Sequence, residues 1–239
     1  MNMRIRNILS ILKPLVKCNT EIIFANKFIW FLLTVLLVFL GTMFISAWDV
    51  TKLEPALLYR LLLFPGILLI FYPTTFSIQN DEDAKMLEII FGIPNYRFKV
   101  WLVRLIFVYL LVTILLIGFT QIGSVLLYKV SVLHMSFSVL LPILFLGNLA
   151  FMFSTIVRSG SGTAVIMIVI GLLFFVLSNN RIIENSMWDI FLNPYKEPNG
   201  INPEIWNDLI LKNRLVLSIG SIIFVLVAML NLQRRERFV

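Results

Sequence analysis

From residue 28 to residue 48 no charged side chain interrupts the chain. Comparable apolar runs recur at 56–76, 100–128, 137–157, 161–177 and 215–232, two of them carrying one arginine near their start. A run of about 20 apolar residues, wound as a helix, crosses the hydrocarbon layer of a bilayer. In lipid a backbone N–H or C=O finds no water, and a helix satisfies these groups within one segment. The sequence therefore predicts an all-α membrane protein with six transmembrane helices.

Composition agrees: 59% of the residues are hydrophobic and 14% charged, and the mean hydropathy is +0.94. A soluble domain is about a quarter charged, so a soluble fold of this composition would lack polar surface. The 239 residues hold six spans and short connections, which predicts a single membrane domain with no catalytic module. Lys13, Pro14 and Lys17 interrupt any early apolar core, so the N-terminus does not read as a cleaved signal peptide. A lone Cys18 and a lone His134 offer neither a disulfide framework nor a zinc cluster.

The net charge of +7 is decided by position rather than amount. Starting from a cytoplasmic N-terminus, twelve Lys and Arg fall inside against six outside (Lys52, Lys129, Arg181, Lys196, Lys212 and Arg214), with Arg60 and Arg104 left in the spans. Cytoplasmic loops carry this excess, so both termini are expected in the cytoplasm. No polar module or aromatic platform presents itself to bases, so nucleic acid is not an expected partner.

The connections carry more information than the spans. Over 4–27, Ile5, Ile8, Leu9, Leu12 and Val16 recur at helical spacing opposite Arg6, Ser10, Lys13 and Lys17. That pattern predicts an amphipathic interfacial helix, or in its plainer form a basic anchor. In the loop 77–99, Asp81, Glu82 and Asp83 read as the start of a short helix that runs to Phe91 and is stopped by Gly92 and Pro94. A helix of that length lies on the membrane surface and can present a face to a partner. Over 178–213, Trp188, Phe191, Ile205, Trp206 and Leu209 are too apolar for a solvated loop. Pro194, Pro198 and Pro203 interrupt them too often for one span, which predicts short external helices dipping into the membrane.

In this order on six spans, these connections resemble the permease subunit of a type-2 ABC exporter. The strongest match is Asn80-Asp-Glu-Asp-Ala-Lys-Met-Leu-Glu-Ile-Ile-Phe-Gly-Ile-Pro-Asn-Tyr-Arg-Phe-Lys99, with the Arg-Ser-Gly turn at 158–160 and the final Arg-Arg-Glu-Arg in support. In that family the loop holds a coupling helix that docks on an ATPase subunit. The resemblance implies that Asp81, Glu82, Lys85, Glu88, Ile90 and Phe91 couple to a cytoplasmic ATPase. It implies a second permease, identical or paralogous, and residence in the plasma membrane of a prokaryote. The chain lacks a Gly-x-x-x-x-Gly-Lys-Ser/Thr loop, because Gly160-Ser161-Gly162-Thr163 has no lysine. No cofactor is therefore expected in this chain, and ATP and Mg would belong to the partner. Thr113, Thr120, Gln121, Asn148 and Thr155 are the polar groups available to line a translocation path, although each can equally satisfy a neighbouring helix. The substrate would be lipid-like, amphipathic or a peptide.

Two other membrane chemistries compete. An intramembrane serine protease needs a buried serine and a histidine base, whereas His134 falls in an expected external loop and Ser159 and Ser161 in a turn. An ion-coupled secondary transporter is the alternative. Such proteins bury Asp, Glu or His at mid-membrane, and no acidic residue lies inside the six runs.

Overall fold

A computed structural model describes residues 28–49, 54–83, 85–93, 95–180, 182–198 and 200–233. The expected interfacial helix over 4–27 and the basic tail beyond residue 233 lie outside the described residues. Eight α-helices are described, in the order α1 Phe28–Asp49, α2 Pro55–Thr75, α3 Ser77–Asp83, α4 Leu87–Gly92, α5 Val103–Leu126, α6 Val132–Val157, α7 Gly160–Asn179 and α8 Pro203–Asn231. A π-helical segment, Arg97–Leu102, leads into α5. No strand occurs among the described residues.

Five helices are long and apolar enough to cross a membrane: α2, the π segment continued by α5, α6, α7 and α8. The protein is therefore an all-helical, multi-pass membrane chain. Helix α1 is also apolar, and its described side chains cover the shorter stretch Trp30–Ser46.

Helix α6 forms the centre and packs against α8, α2, α5 and α7. Of its apolar window 67% is buried, against 17% for α7, which leaves α7 at the periphery. Lipid tails are as apolar as Leu, so helices associate in a membrane through close packing at small residues. The α2–α6 contact shows how. A Cβ on Gly66 of α2 would lie 2.2 Å from Ile143 Cδ1, and one on Gly147 of α6 would lie 2.5 Å from Ile70 Cδ1. Each helix thus offers a glycine gap and, four residues away, an isoleucine that fills the gap of its partner. Pro65 and Pro73 both lie within the continuous helix α2.

Two stretches differ from expectation. Between α7 and α8 the described residues form turns rather than membrane-dipping helices. Helix α8 begins at Pro203 and runs unbroken into the last apolar run. The reason lies in its start. The Asn202 side chain accepts from Glu204 N at 3.0 Å, Pro203 takes the first turn where a missing N–H costs nothing, and Glu204 meets the positive end of the dipole. Pro203 starts a helix instead of breaking one. His134 likewise lies in the first turn of α6 rather than in a loop, where its Nδ1 stands 2.8 Å from Tyr195 Oη in the α7–α8 connection.

Candidate functional site

The loop 77–99 contains two short helices, not one. Asp81 and its acidic neighbours end α3 instead of opening the next helix. Met86 N donates to Asp81 O at 2.8 Å and Lys85 N to Glu82 O at 2.9 Å, while Lys85 takes a left-handed φ of 54°. This double bond around a left-handed residue is the Schellman stop, made here by a lysine where glycine is the usual choice. Carboxylates at a helix C-terminus face the negative end of the dipole, and this arrangement needs compensation from elsewhere.

Compensation comes from α5. Arg104 Nη1 donates to Asp81 Oδ2 at 2.7 Å, with the two side chains only 10% and 2% exposed. The Arg104 guanidinium also lies over the Trp101 ring at 5.1 Å. Burial pushes the Asp81 carboxyl above the usual carboxylate range, while the charge and hydrogen bond of Arg104 pull it back down. An arginine near the start of an apolar run can reach out to the membrane surface. Arg104 is instead buried, a partner for the loop.

Three further hydrogen bonds tie the segment down. Gln79 Oε1 accepts from Gly160 N, the first residue of α7, at 2.6 Å. Ser159 Oγ accepts from Gly162 N at 3.2 Å, so two free N–H groups at the α7 N-terminus are satisfied. At the other end of the loop, the Tyr96 hydroxyl donates to the Leu232 carbonyl. Arg97 Nη1 donates to Gln233 Oε1 at 3.2 Å, beside the C-terminus of α8. Beneath these ties Ile78, Leu87, Ile90, Phe91, Tyr96 and Trp101 form one apolar cluster with Phe151, Ala228, Met229 and Leu232.

Of the six residues expected to meet a partner, Asp81, Ile90 and Phe91 are buried against the helices and anchor the segment, while Glu82 and Lys85 are exposed. Glu88 stands in α4, and its side chain lies outside those described. Met86 and Ile89 are 39% and 62% exposed. The outward face therefore mixes charge with apolar surface, as a protein-docking surface does.

None of the hydrogen bonds of the five expected path residues joins one of them to another among the described residues. Thr113 and Thr120 donate back to the carbonyls of Tyr109 and Leu116 within α5. Ser136 Oγ donates to Thr120 Oγ1 at 2.9 Å. Gln121 is exposed, the Tyr109 hydroxyl donates to Asn148 Oδ1, and Asn231 Nδ2 donates to Thr155 Oγ1 at 3.3 Å. Four of the five thus have partners inside the bundle. The large cavity lies elsewhere, between α2 and α7. The sequence signal for it was Arg60, a charge inside an apolar run.

No protein-family model, curated protein or solved structure matches the chain.

Proposed function

We propose that this chain is the permease subunit of an ATP-driven exporter of the type-2 ABC kind, and that α3 and α4 form its docking surface for a separate ATPase. One observation carries the reading: the segment that holds the two short helices exposes Glu82, Lys85, Met86 and Ile89 while being tied to three different long helices. Asp81–Arg104 joins the segment to α5, Gln79–Gly160 to α7, and Tyr96 and Arg97 to the end of α8. A surface built to receive force from a partner needs both an accessible face and rigid links to the parts that move. A solvated linker needs neither.

On this reading α1 is the first of six spans, both termini and the α3–α4 face lie in the cytoplasm, and the α7–α8 connection is external. The chain resides in the plasma membrane of a prokaryote and works with a second permease, identical or paralogous. ATP and Mg bind in the partner ATPase, whose closure pushes on α3 and α4. The π segment sits between that surface and α5, and π turns within helices are frequent at functional sites. Force on the segment would then reach α5, α7 and α8 together and alter the route past them.

The test reverses charge on the exposed face. Glu82→Lys with Lys85→Glu is expected to leave the melting temperature within about 2 °C, because surface substitutions change stability little. Co-purification of the ATP-hydrolysing subunit from native membranes is expected to drop at least about tenfold, the effect of juxtaposed like charges at a complementary interface. Undiminished association in the folded variant contradicts the proposal.

A further inference from the structure

A cavity of about 730 Å³ opens between α2 and α7 under the α7–α8 connection. Its size falls within the range of about 300–1,000 Å³ usual for small-molecule sites. None of the five expected path residues lines it. Its walls are Phe64, Ile67 and Phe71 from α2 and Ile168, Leu172 and Phe175 from α7. Phe64, Ile168, Leu172 and Phe175 are each more than half exposed, so the cavity is a groove open to the side, where lipid tails would stand.

One end is charged. Arg60 of α2 and Lys196 of the connection both line it and both are exposed. Neither side chain has an ion-pair or hydrogen-bond partner among the described residues. Two acidic groups share this rim, but both are occupied. Asp189 is 3% exposed and accepts from Ser178 Oγ and Phe191 N, each at 3.0 Å. Glu184 is engaged within the protein. Charged side chains in membrane segments face cavities and take up partners there, which leaves the two cations free for an anion.

Length sets the other half of the ligand. From Arg60 to Phe71 the α2 wall rises about 16 Å at 1.5 Å per residue, about half of the ~30 Å hydrocarbon thickness. That is the depth of one leaflet. A groove with two cations at one end, one leaflet of apolar wall and a lateral opening has the shape of a single lipid.

We infer that this groove binds a phosphate-headed anionic amphiphile from one leaflet of the bilayer, its head held by Arg60 and Lys196 and its acyl chain lying between α2 and α7. The site itself requires only that the chain spans a membrane. That its occupant belongs to the exported class rests on the exporter reading above.

The test uses the full chain in nanodiscs of equimolar phosphatidylglycerol and phosphatidylcholine, extracted gently and weighed by native mass spectrometry. The native chain is expected to retain phosphatidylglycerol in preference. Arg60→Ala with Lys196→Ala should lower the retained phosphatidylglycerol-to-phosphatidylcholine ratio at least about tenfold, at roughly 1 kcal/mol per basic group near anionic lipid. Gly171→Trp should remove the retained lipid of both kinds. Gly171 lines the groove and a Cβ there meets nothing within 4 Å, so a side chain can leave the backbone there without a clash and the indole takes up groove volume. An unchanged ratio in the charge variant, or undiminished lipid in Gly171→Trp, overturns the inference. So does a lipid-free native dimer that Gly171→Trp dissociates, since a second copy would then occupy the groove. ATPase co-purification from the same preparations separates the two proposals. Lost lipid selectivity with ATPase still attached leaves both intact, whereas native lipid binding without any ATPase removes the exporter reading alone.

Discussion

Replacing Asp81 by alanine is expected to cost about 3–5 kcal/mol of stability, the loss typical when one member of a buried ion pair is removed. The Arg104 guanidinium, 10% exposed, would then lie against Trp101 with no counter-charge. The double change Asp81→Leu with Arg104→Met behaves differently. Burial already pushes the Asp81 carboxyl above its ordinary range despite its partner, which means that desolvation outweighs the attraction. Removing both charges therefore restores stability to within about 1–2 kcal/mol of the native chain, or beyond it. Thermal unfolding in one detergent measures both variants. Equal losses in the single and double variants would show that packing, not charge, holds the loop to α5. Under the exporter reading the double variant folds and yet transmits poorly, because the tie between α3 and α5 is gone.

Gly160→Val has the second largest expected effect. A Cβ at Gly160 would stand 2.3 Å from Phe76 Cδ1 and 2.7 Å from Gln79 Oε1. A phenyl ring cannot swing aside as freely as the end of an aliphatic chain, and overpacking of this kind costs about 1–3 kcal/mol. The clash pushes α3 away from the α7 N-terminus and breaks the Gln79–Gly160 hydrogen bond. Gln79→Ala breaks the same bond without the clash, for about 0.5–1.5 kcal/mol. The melting temperature should therefore fall further in Gly160→Val than in Gln79→Ala. Identical melting temperatures for the native chain and Gly160→Val would mean that α3 and α7 are not in contact as described.

The long helices were legible because their signal is local: an apolar run of sufficient length needs no knowledge of its neighbours. The turn between α6 and α7 was legible for the same reason, and there Arg158 takes a left-handed φ of 61° and Ser159 caps the next helix. Acidic residues misled at 81–83. Local rules place carboxylates at helix starts, whereas Asp81 is held at a helix end by an arginine from α5. Tertiary pairing overrode the propensity. The Gln79–Gly160 bond links residues far apart in sequence, and nothing in the periodicity of either segment marks it. Proline at 203 interrupts an apolar stretch, but the Asn202 side chain beside it caps the first turn and makes it a helix start. Of the groove between α2 and α7 only Arg60, a charge inside an apolar run, gave a sign in the sequence; the groove itself exists only where two helices and a connection meet.

These local and long-range features converge on the exposed face of α3 and α4, and one measurement tests that convergence most directly. A photo-crosslinking amino acid is placed at Lys85, and a second, separate variant carries it at Glu197 in the α7–α8 connection; both positions are exposed. After irradiation of native membranes, the chain joined to each site is identified by its peptides. The account predicts that Lys85 captures a chain carrying a Gly-x-x-x-x-Gly-Lys-Ser/Thr phosphate loop and that Glu197 does not. Capture of that chain from Glu197, or of no such chain from Lys85, contradicts the account.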